Sequence, residues 1–170
     1  MPRVVPVLLV AAALAGCGTR PYVPKEYPLR DGLIPKMAVN GQVQVRNAQP
    51  STDEAIVHSY AAQLASNYKD ITQLMVDQTS KEIAKNGRAS SSGKAKAIDL
   101  KVTYLQSTYI AFYWKSELKY NATLGTSGTT FEKTVNHSTG GGVFQDLNGC
   151  IAEAVMNLLQ DPRVIGYLAE

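Results

Sequence analysis

Residues 98–104 read Ile-Asp-Leu-Lys-Val-Thr-Tyr, and residues 117–124 read Glu-Leu-Lys-Tyr-Asn-Ala-Thr-Leu. In both stretches apolar and polar side chains alternate, which is the pattern of a strand with one buried and one exposed face. A turn at Gly125–Gly128 follows, and residues 129–136 continue as a third strand. The three strands predict an antiparallel meander with one apolar face.

The sequence around this meander predicts one more strand and two long helices. Residues 37–45 alternate like a half-buried strand, whereas residues 52–65 are compatible with a helix, a strand or an ordered loop. A helix is predicted from Ser66 or Asn67 to Asn86, because apolar residues recur at helical spacing between a cap and Asn86-Gly87. Residues 89–93 resemble a polar loop.

Residues 143–160 predict a second helix with an apolar stripe, listed as Phe144, Leu147, Ile151, Ala154, Val155 and Leu158. Asp161-Pro162 then favours a short terminal helix. The predicted fold is α+β with two layers: an antiparallel sheet of about four strands, with two long amphipathic helices packed on one face. The order is strand, helix, three strands, helix, in one domain over residues 37–170.

The first seventeen residues have the organisation of a bacterial lipoprotein signal peptide. Arg3 precedes the apolar stretch Val4–Ala15, and the stretch ends in Leu14-Ala15-Gly16-Cys17. This stretch is shorter than the roughly 20 residues that a membrane-spanning helix needs. The small residues give a peptidase access to the backbone, and the thiol accepts the lipid. We therefore predict removal of residues 1–16 and acylation of Cys17.

The residues after Cys17 bear on where the protein is held. Gly18 and Thr19 follow it, and the absence of an Asp directly after the Cys favours the periplasmic face of the outer membrane over the inner membrane. Residues 17–36 contain four prolines, which favour extended backbone. This segment could be a tether that lifts the domain from the bilayer, or a linker that lies along the domain.

Charge and cysteine content exclude some functions. The mature chain of 154 residues would carry 16 basic and 14 acidic side chains, a net charge of about +2, which does not indicate nucleic-acid binding. Once Cys17 is acylated, Cys150 is the one remaining cysteine, so an internal disulfide cannot form. Cys150 lies on the apolar stripe of the last long helix and is predicted to be a core residue.

No motif predicts catalysis, a metal or a cofactor. The two histidines, His58 and His137, have no ligand partner at helical spacing, and no serine lies in a Gly-x-Ser-x-Gly elbow. Gly140–Gly142 precede a helix, but the Lys and Ser/Thr of a phosphate-binding loop are missing. We expect a protein that is not an enzyme, although folding could still assemble a site from distant residues.

An aromatic run, Tyr109-Ile110-Ala111-Phe112-Tyr113-Trp114, interrupts the meander between two strands. If it includes a hairpin tip, its rings cannot all enter the core, and an exposed aromatic cluster marks a protein partner or a membrane interface. Tyr109, Phe112, Tyr113 and Trp114 are therefore candidate contact residues. In the alternative, Tyr109, Phe112 and Trp114 complete the core layer or cover a sheet edge.

Four features together bear on the family of this chain: the lipidation motif, the Met-x-Val-x-Gly-x-Val-x-Val strand at 37–45, the helix start Ser66-Asn67-Tyr68-Lys69-Asp70 and the ending Leu158-Leu159-Gln160-Asp161. In these features the chain resembles the YajG-like family of bacterial lipoproteins. The resemblance implies a membrane-anchored periplasmic domain and brings no catalytic motif. The stretch Tyr109–Lys115 is more aromatic than that family's pattern.

Taken together, these features predict a non-enzymatic binding or assembly module of the cell envelope. It would be anchored to a bilayer by the acyl chains on Cys17 and would contact an envelope protein or peptidoglycan. The alternative is a carrier or receptor for a small lipid or a muropeptide-like glycan, bound between the helices and the sheet.

Overall fold

The computed structural model describes residues 18–90, 93–125 and 128–170, so the predicted leader and Cys17 lie outside the described residues. The strands are β1 (Thr19–Pro21), β2 (Met37–Asn40), β3 (Val43–Asn47), β4 (Glu54–Tyr60), β5 (Ala62–Asn67), β6 (Gly87–Ser90), β7 (Lys96–Ile110), β8 (Tyr113–Leu124) and β9 (Thr130–Thr139). The helices are α1 (Tyr68–Asn86), α2 (Val143–Leu159) and α3 (Pro162–Ala169).

Seven of the described strands form one mixed sheet in the order β1-β5-β4-β7-β8-β9, with β3 also paired to β7. Strands β2 and β6 form a separate parallel pair. The predicted four-stranded antiparallel sheet with two helices is therefore wrong, although the fold remains α+β. The meander β7-β8-β9 is antiparallel, as its alternation indicates, whereas β1-β5, β3-β7 and β4-β7 are parallel.

One glycine explains why the predicted strand at 37–45 is two strands. Gly41 has a φ of +87°, and a Cβ built on it would lie 2.2 Å from the carbonyl oxygen of Lys94. The chain turns there, so β2 leaves the large sheet and pairs with β6. Strand β6 covers Ala89 and Ser90, the first two residues of the stretch predicted as a polar loop, so that prediction is wrong there. Its pairing with a distant strand leaves no local signal in the sequence.

The ambiguous stretch 52–65 contains most of a β-hairpin. Strand β4 pairs antiparallel with β5 and contacts β7 in parallel through the pair His58↔Ser107. Strand β3 pairs with the same edge of β7 but nearer the start of β7, with Val43 opposite Lys96. Two short strands thus share one long edge, which local periodicity could not show.

Both predicted long helices are confirmed and pack on the sheet. Asn67 caps α1 by accepting a 2.8 Å hydrogen bond from the Asp70 backbone N–H. Helix α1 contacts β7, α2 contacts β8 and β9, and the helices contact each other, while α3 packs on β2. The largest fully buried side chains of this core come from both layers: Ile71, Met75, Ile98, Leu100, Leu105, Leu118, Tyr120, Leu147, Ile151, Leu158, Leu159 and Leu168.

The proline-rich segment lies along the domain, one of the two arrangements that its composition allows. Strand β1 pairs with β5, and Tyr22, directly after it, is buried. The Tyr22 hydroxyl donates a 2.7 Å hydrogen bond to Oδ1 of Asn148 in α2. Ile34 is also buried in the core. The domain therefore includes residues before Met37.

Candidate contact surface at the strand tips

Two turns meet at one end of the large sheet. Strand β4 turns into β5 with Tyr60 opposite Ala62, and β7 turns into β8 with Ile110 opposite Tyr113. Because β4 and β7 run parallel, both turns lie at the same end. Six residues at this end are named the aromatic tip: Tyr60, Tyr109, Ile110, Phe112, Tyr113 and Trp114.

Four side chains of the aromatic tip are exposed to solvent. Phe112 is 89% exposed and Tyr60 is 58% exposed, and Tyr113 and Ile110 are also exposed. A phenylalanine this exposed gains nothing from folding, because apolar side chains stabilise a fold by leaving water. Clustered exposed rings are typical of a contact surface.

The other rings of the tip support this surface from below. Ring centroids lie 5.3 Å apart for Tyr60 and Tyr109, and 4.9 Å apart for Tyr109 and Trp114. Trp114 meets the imidazole of His58 edge-on at 5.0 Å. The four contact residues predicted from the sequence therefore differ in exposure: Tyr109 and Trp114 are half-buried, while Phe112 and Tyr113 face solvent. Tyr60 and His58 reach the group only through the β4–β7 pairing.

Each tip turn contains an alanine in the left-handed region. Ala61 has a φ of 56° and Ala111 has a φ of 54°. Side chains with a Cβ are disfavoured there by about 1–2 kcal/mol, so glycine is the usual residue. Both alanines are exposed, so the conformation is set by the strand pairing on either side of each turn.

His58 joins the tip to the sheet beneath it. Its Nδ1 lies 2.9 Å from the Ser107 carbonyl oxygen, and its Nε2 lies 3.1 Å from the Tyr60 carbonyl oxygen. Carbonyl oxygens only accept hydrogen bonds, so a ring with a single N–H can make one of these two bonds. The imidazole is buried, and it fixes the end of β4 against β7.

A buried polar layer lies next to the tip. Pairing aligns His58, Ser107, Ser116 and His137 across four strands. The Ser107 hydroxyl donates a 2.6 Å hydrogen bond to Oδ2 of Asp146, and the Ser116 hydroxyl donates to the Asp146 carbonyl oxygen at 3.3 Å. Burial raises the pKa of the Asp146 carboxyl, and its hydrogen bond from Ser107 partly opposes this. Among the residues that the structure describes, its Oδ1 has no hydrogen-bond partner.

This layer contains serine, histidine and aspartate, but it is not arranged as a nucleophile with a base. The Ser107 hydroxyl donates to Asp146, and both nitrogens of His58 face carbonyl oxygens. A serine nucleophile needs its hydroxyl bonded to a base that can take the proton. What this geometry does is tie α2 to the strands below the tip.

The predicted apolar stripe of α2 is buried except at its first residue. Phe144, predicted on the apolar stripe, is exposed, and Asp146 is fully buried instead. Cys150 is buried as predicted, and burial raises its pKa to about 12. Such a thiol is inert at neutral pH, because only the thiolate is nucleophilic.

The comparisons with known proteins give distant structural likenesses. No family model matches the chain, and no curated protein matches it. A crystal structure of an uncharacterized protein is 10% identical, with 84% of this chain and 95% of that chain covered and a TM-score of 0.39. The hypothetical protein CT253 from Chlamydia trachomatis is 8% identical, with 79% and 98% covered and a TM-score of 0.40.

A third solved structure is titled a "putative neuraminyllactose-binding hemagglutinin homolog from Helicobacter pylori". It is 9% identical, with 85% of this chain and 94% of that chain covered and a TM-score of 0.35. Likenesses at these levels carry no statement about function. The resemblance to YajG-like lipoproteins stays a prediction.

Proposed function

We propose that the protein is a lipid-anchored module of the bacterial envelope that makes contacts and does not catalyse a reaction. The acyl chains on Cys17 hold it at the periplasmic face of the outer membrane, and the aromatic tip is its contact surface. The described residues include no helix long and apolar enough to cross a bilayer.

One observation carries the contact role, namely the exposure of Phe112 at 89% among other exposed rings. Truncating such a ring costs little stability, so its presence indicates a use outside the fold. The lipid anchor rests on the sequence Leu14-Ala15-Gly16-Cys17 after a short apolar stretch. The envelope components that the tip could contact are a protein, peptidoglycan or lipid.

A photo-crosslinking amino acid at position 112 tests the contact role in intact cells. We expect a crosslinked adduct with an envelope component after illumination. The matched control places the same amino acid at Tyr104, an exposed aromatic on β7 away from the tip. Equal adduct yields at the two positions, or none at position 112, would contradict the proposal.

The anchor is tested separately by labelling cells with radioactive palmitate. The wild-type chain should incorporate the label, and the Cys17→Ser variant should not. Label that persists in the Cys17→Ser variant would show that another atom carries the lipid. A wild-type chain found unlabelled in the cytosol with its leader intact would refute the anchor.

A further inference from the structure

We infer that the aromatic tip contacts the lipid interface of the same bilayer that holds the acyl chains of Cys17. This inference rests on the proposed lipid anchor and names the partner of the contact surface. Its consequence is an orientation: the strand tips face the membrane, and the rest of the domain points into the periplasm.

The first argument is the place where the described chain begins. Thr19 in β1 pairs with Gln63, which lies three residues after Tyr60 of the tip. Cys17 precedes Thr19 by two residues, and two residues span at most about 7 Å. Acyl chains attached there enter the bilayer beside the tip, whatever path those two residues take.

The docking of the N-terminal segment removes the freedom that a tether would give. Strand β1 is bonded to β5, and Tyr22 is buried with its hydroxyl on Asn148. The domain therefore cannot swing away on a loose linker while β1 stays paired. The domain therefore lies against the membrane surface, and the end of the domain that contains Thr19 faces the membrane.

The second argument is the chemistry of the tip. Tyrosine and tryptophan are enriched at membrane–water interfaces, because each ring is apolar with one polar group. The tip contains three tyrosines and the single tryptophan of the chain. Phe112 and Ile110 add side chains without polar atoms, which favour the acyl boundary.

The third argument is charge. Two exposed cations border the tip, since Arg20 follows Thr19 and Lys115 follows Trp114. Anionic lipid headgroups attract such side chains by about 1 kcal/mol each near the surface. The acidic side chain nearest to the tip along β8 is Glu117, which Lys119 pairs with at 3.3 Å. The border of the tip thus suits an anionic surface better than a cationic one.

The test uses Trp114, whose emission reports only on the tip because the chain has one tryptophan. The acylated full-length product is purified from membranes, its acylation is verified by mass, and it is placed in vesicles containing anionic lipid. Some vesicles contain lipids brominated near the top of the acyl chain. We expect these lipids to quench Trp114 emission strongly, because bromine quenches a tryptophan only when the two are in contact.

The matched variants are Phe112→Ser with Tyr113→Ser at the tip, and Tyr104→Ser on β7. The tip variant should stay acylated and vesicle-bound but lose most of the bromolipid quenching. Tyr104→Ser should keep it. Equal quenching in all three proteins would show that the lipid anchor alone brings Trp114 near the bilayer, and it would overturn the inference.

Two further outcomes keep this inference separate from the proposed function. An acylated protein whose Trp114 is quenched by aqueous iodide and not by bromolipid overturns the membrane contact and leaves the anchor intact. A crosslink in cells from position 112 to a protein or to peptidoglycan would likewise overturn the membrane contact and leave the anchor intact. A protein without acyl chains refutes the anchor itself, and the membrane contact with it.

Discussion

The hydroxyl of Ser107 in β7 and the carboxylate of Asp146 in α2 are joined by a 2.6 Å hydrogen bond, with both residues buried. The carbonyl oxygen of the same serine lies 2.9 Å from Nδ1 of His58, whose ring contacts Trp114 of the aromatic tip. A continuous chain of contacts therefore links the first turn of α2 to the tip.

The first prediction concerns this hydrogen bond. Ser107→Ala should lower the free energy of unfolding by about 1–3 kcal/mol, because it leaves a second buried oxygen of Asp146 without a partner. Ser116→Ala is the matched control and should cost less, since its hydroxyl makes a longer 3.3 Å bond to a backbone carbonyl. Urea unfolding of the two variants measures both values, and an equal cost would contradict this ranking.

The second prediction concerns the pH dependence of Asp146. Its pKa in the folded chain is raised above 3.8, so the folded state binds this proton more tightly than the unfolded state. The contribution of Asp146 to stability is therefore greatest below pH 3.8 and is lost as the pH rises through the folded pKa. Asp146→Asn removes this dependence.

The stability difference between Asp146→Asn and wild type should thus move in favour of the variant as the pH rises above 3.8. Unfolding curves across the acid-to-neutral range provide the measurement. A difference that stays flat with pH would mean that Asp146 ionises equally easily in the folded and unfolded chains, and one that moves toward wild type would mean that its pKa is lowered by folding.

The third prediction concerns Asp161, a buried acid with the opposite behaviour. It caps α3 through the Arg163 backbone N–H at 3.0 Å, and it pairs with the side chains of Arg163 at 2.7 Å and Lys133 at 2.8 Å. The Arg163 and Lys133 partners lower the pKa of its carboxyl. Its stabilisation is present above the unfolded pKa and is lost as the pH falls.

Replacement of Asp161 separates the two roles. Asp161→Ala loses both the cap and the charge and should cost about 2–4 kcal/mol. Asp161→Asn keeps a capping oxygen and should cost about 1 kcal/mol less than that. Glu132→Ala, an exposed acid beside Lys133, is the control and should change stability by less than about 0.5 kcal/mol. Identical values for Asp161→Asn and Asp161→Ala would show that the cap contributes nothing.

The fourth prediction compares two helical glycines. A Cβ on Gly149 of α2 would lie 2.5 Å from Nε2 of His137, whereas a Cβ on Gly166 of α3 would meet no atom of the described part of the chain within 4 Å. Gly166→Ala should stabilise by about 0.5–1 kcal/mol, the helix preference of alanine over glycine. Gly149→Ala gains the same helix preference but requires the His137 imidazole to move, so it should be less favourable than Gly166→Ala by about 1–3 kcal/mol.

The clash itself can be tested by a double-mutant cycle. His137→Ala should recover most of the cost of Gly149→Ala, which would appear as a coupling free energy above about 0.5 kcal/mol. Additive free energies would mean that the cost of Gly149→Ala does not come from contact with His137. Thermal or urea unfolding of the four proteins gives the result.

The sequence predicts the elements that rest on local periodicity and capping. Asn67 and Asp161 mark helix starts as expected, and the meander follows its alternation. The sequence does not predict the parallel strand pairs. The pairing of β2 with β6 and that of β3 with β7 each join residues about 50 positions apart, so neither leaves a local pattern. Gly41 could have been interpreted as a break, since glycine within a strand often marks a bend.

The candidate surface was partly predictable. The aromatic run at 109–114 indicates that some rings are exposed. Which rings they are depends on the position of the turn at Ala111, which leaves Phe112 exposed and Trp114 half-buried. Tyr60 belongs to this surface only because β4 pairs with the distant strand β7. Asp146 escaped detection because an acid in the first turn of a helix is ordinarily explained by the helix dipole and solvent exposure.

The measurement that tests the central claim most directly is bromolipid quenching of Trp114 in the acylated chain on vesicles. Strong quenching that is lost with Phe112→Ser and Tyr113→Ser, while both proteins remain bound, is the predicted result. A Trp114 that stays open to aqueous iodide and insensitive to bromolipid, in a chain verified to carry its acyl groups, would contradict a tip that faces the membrane.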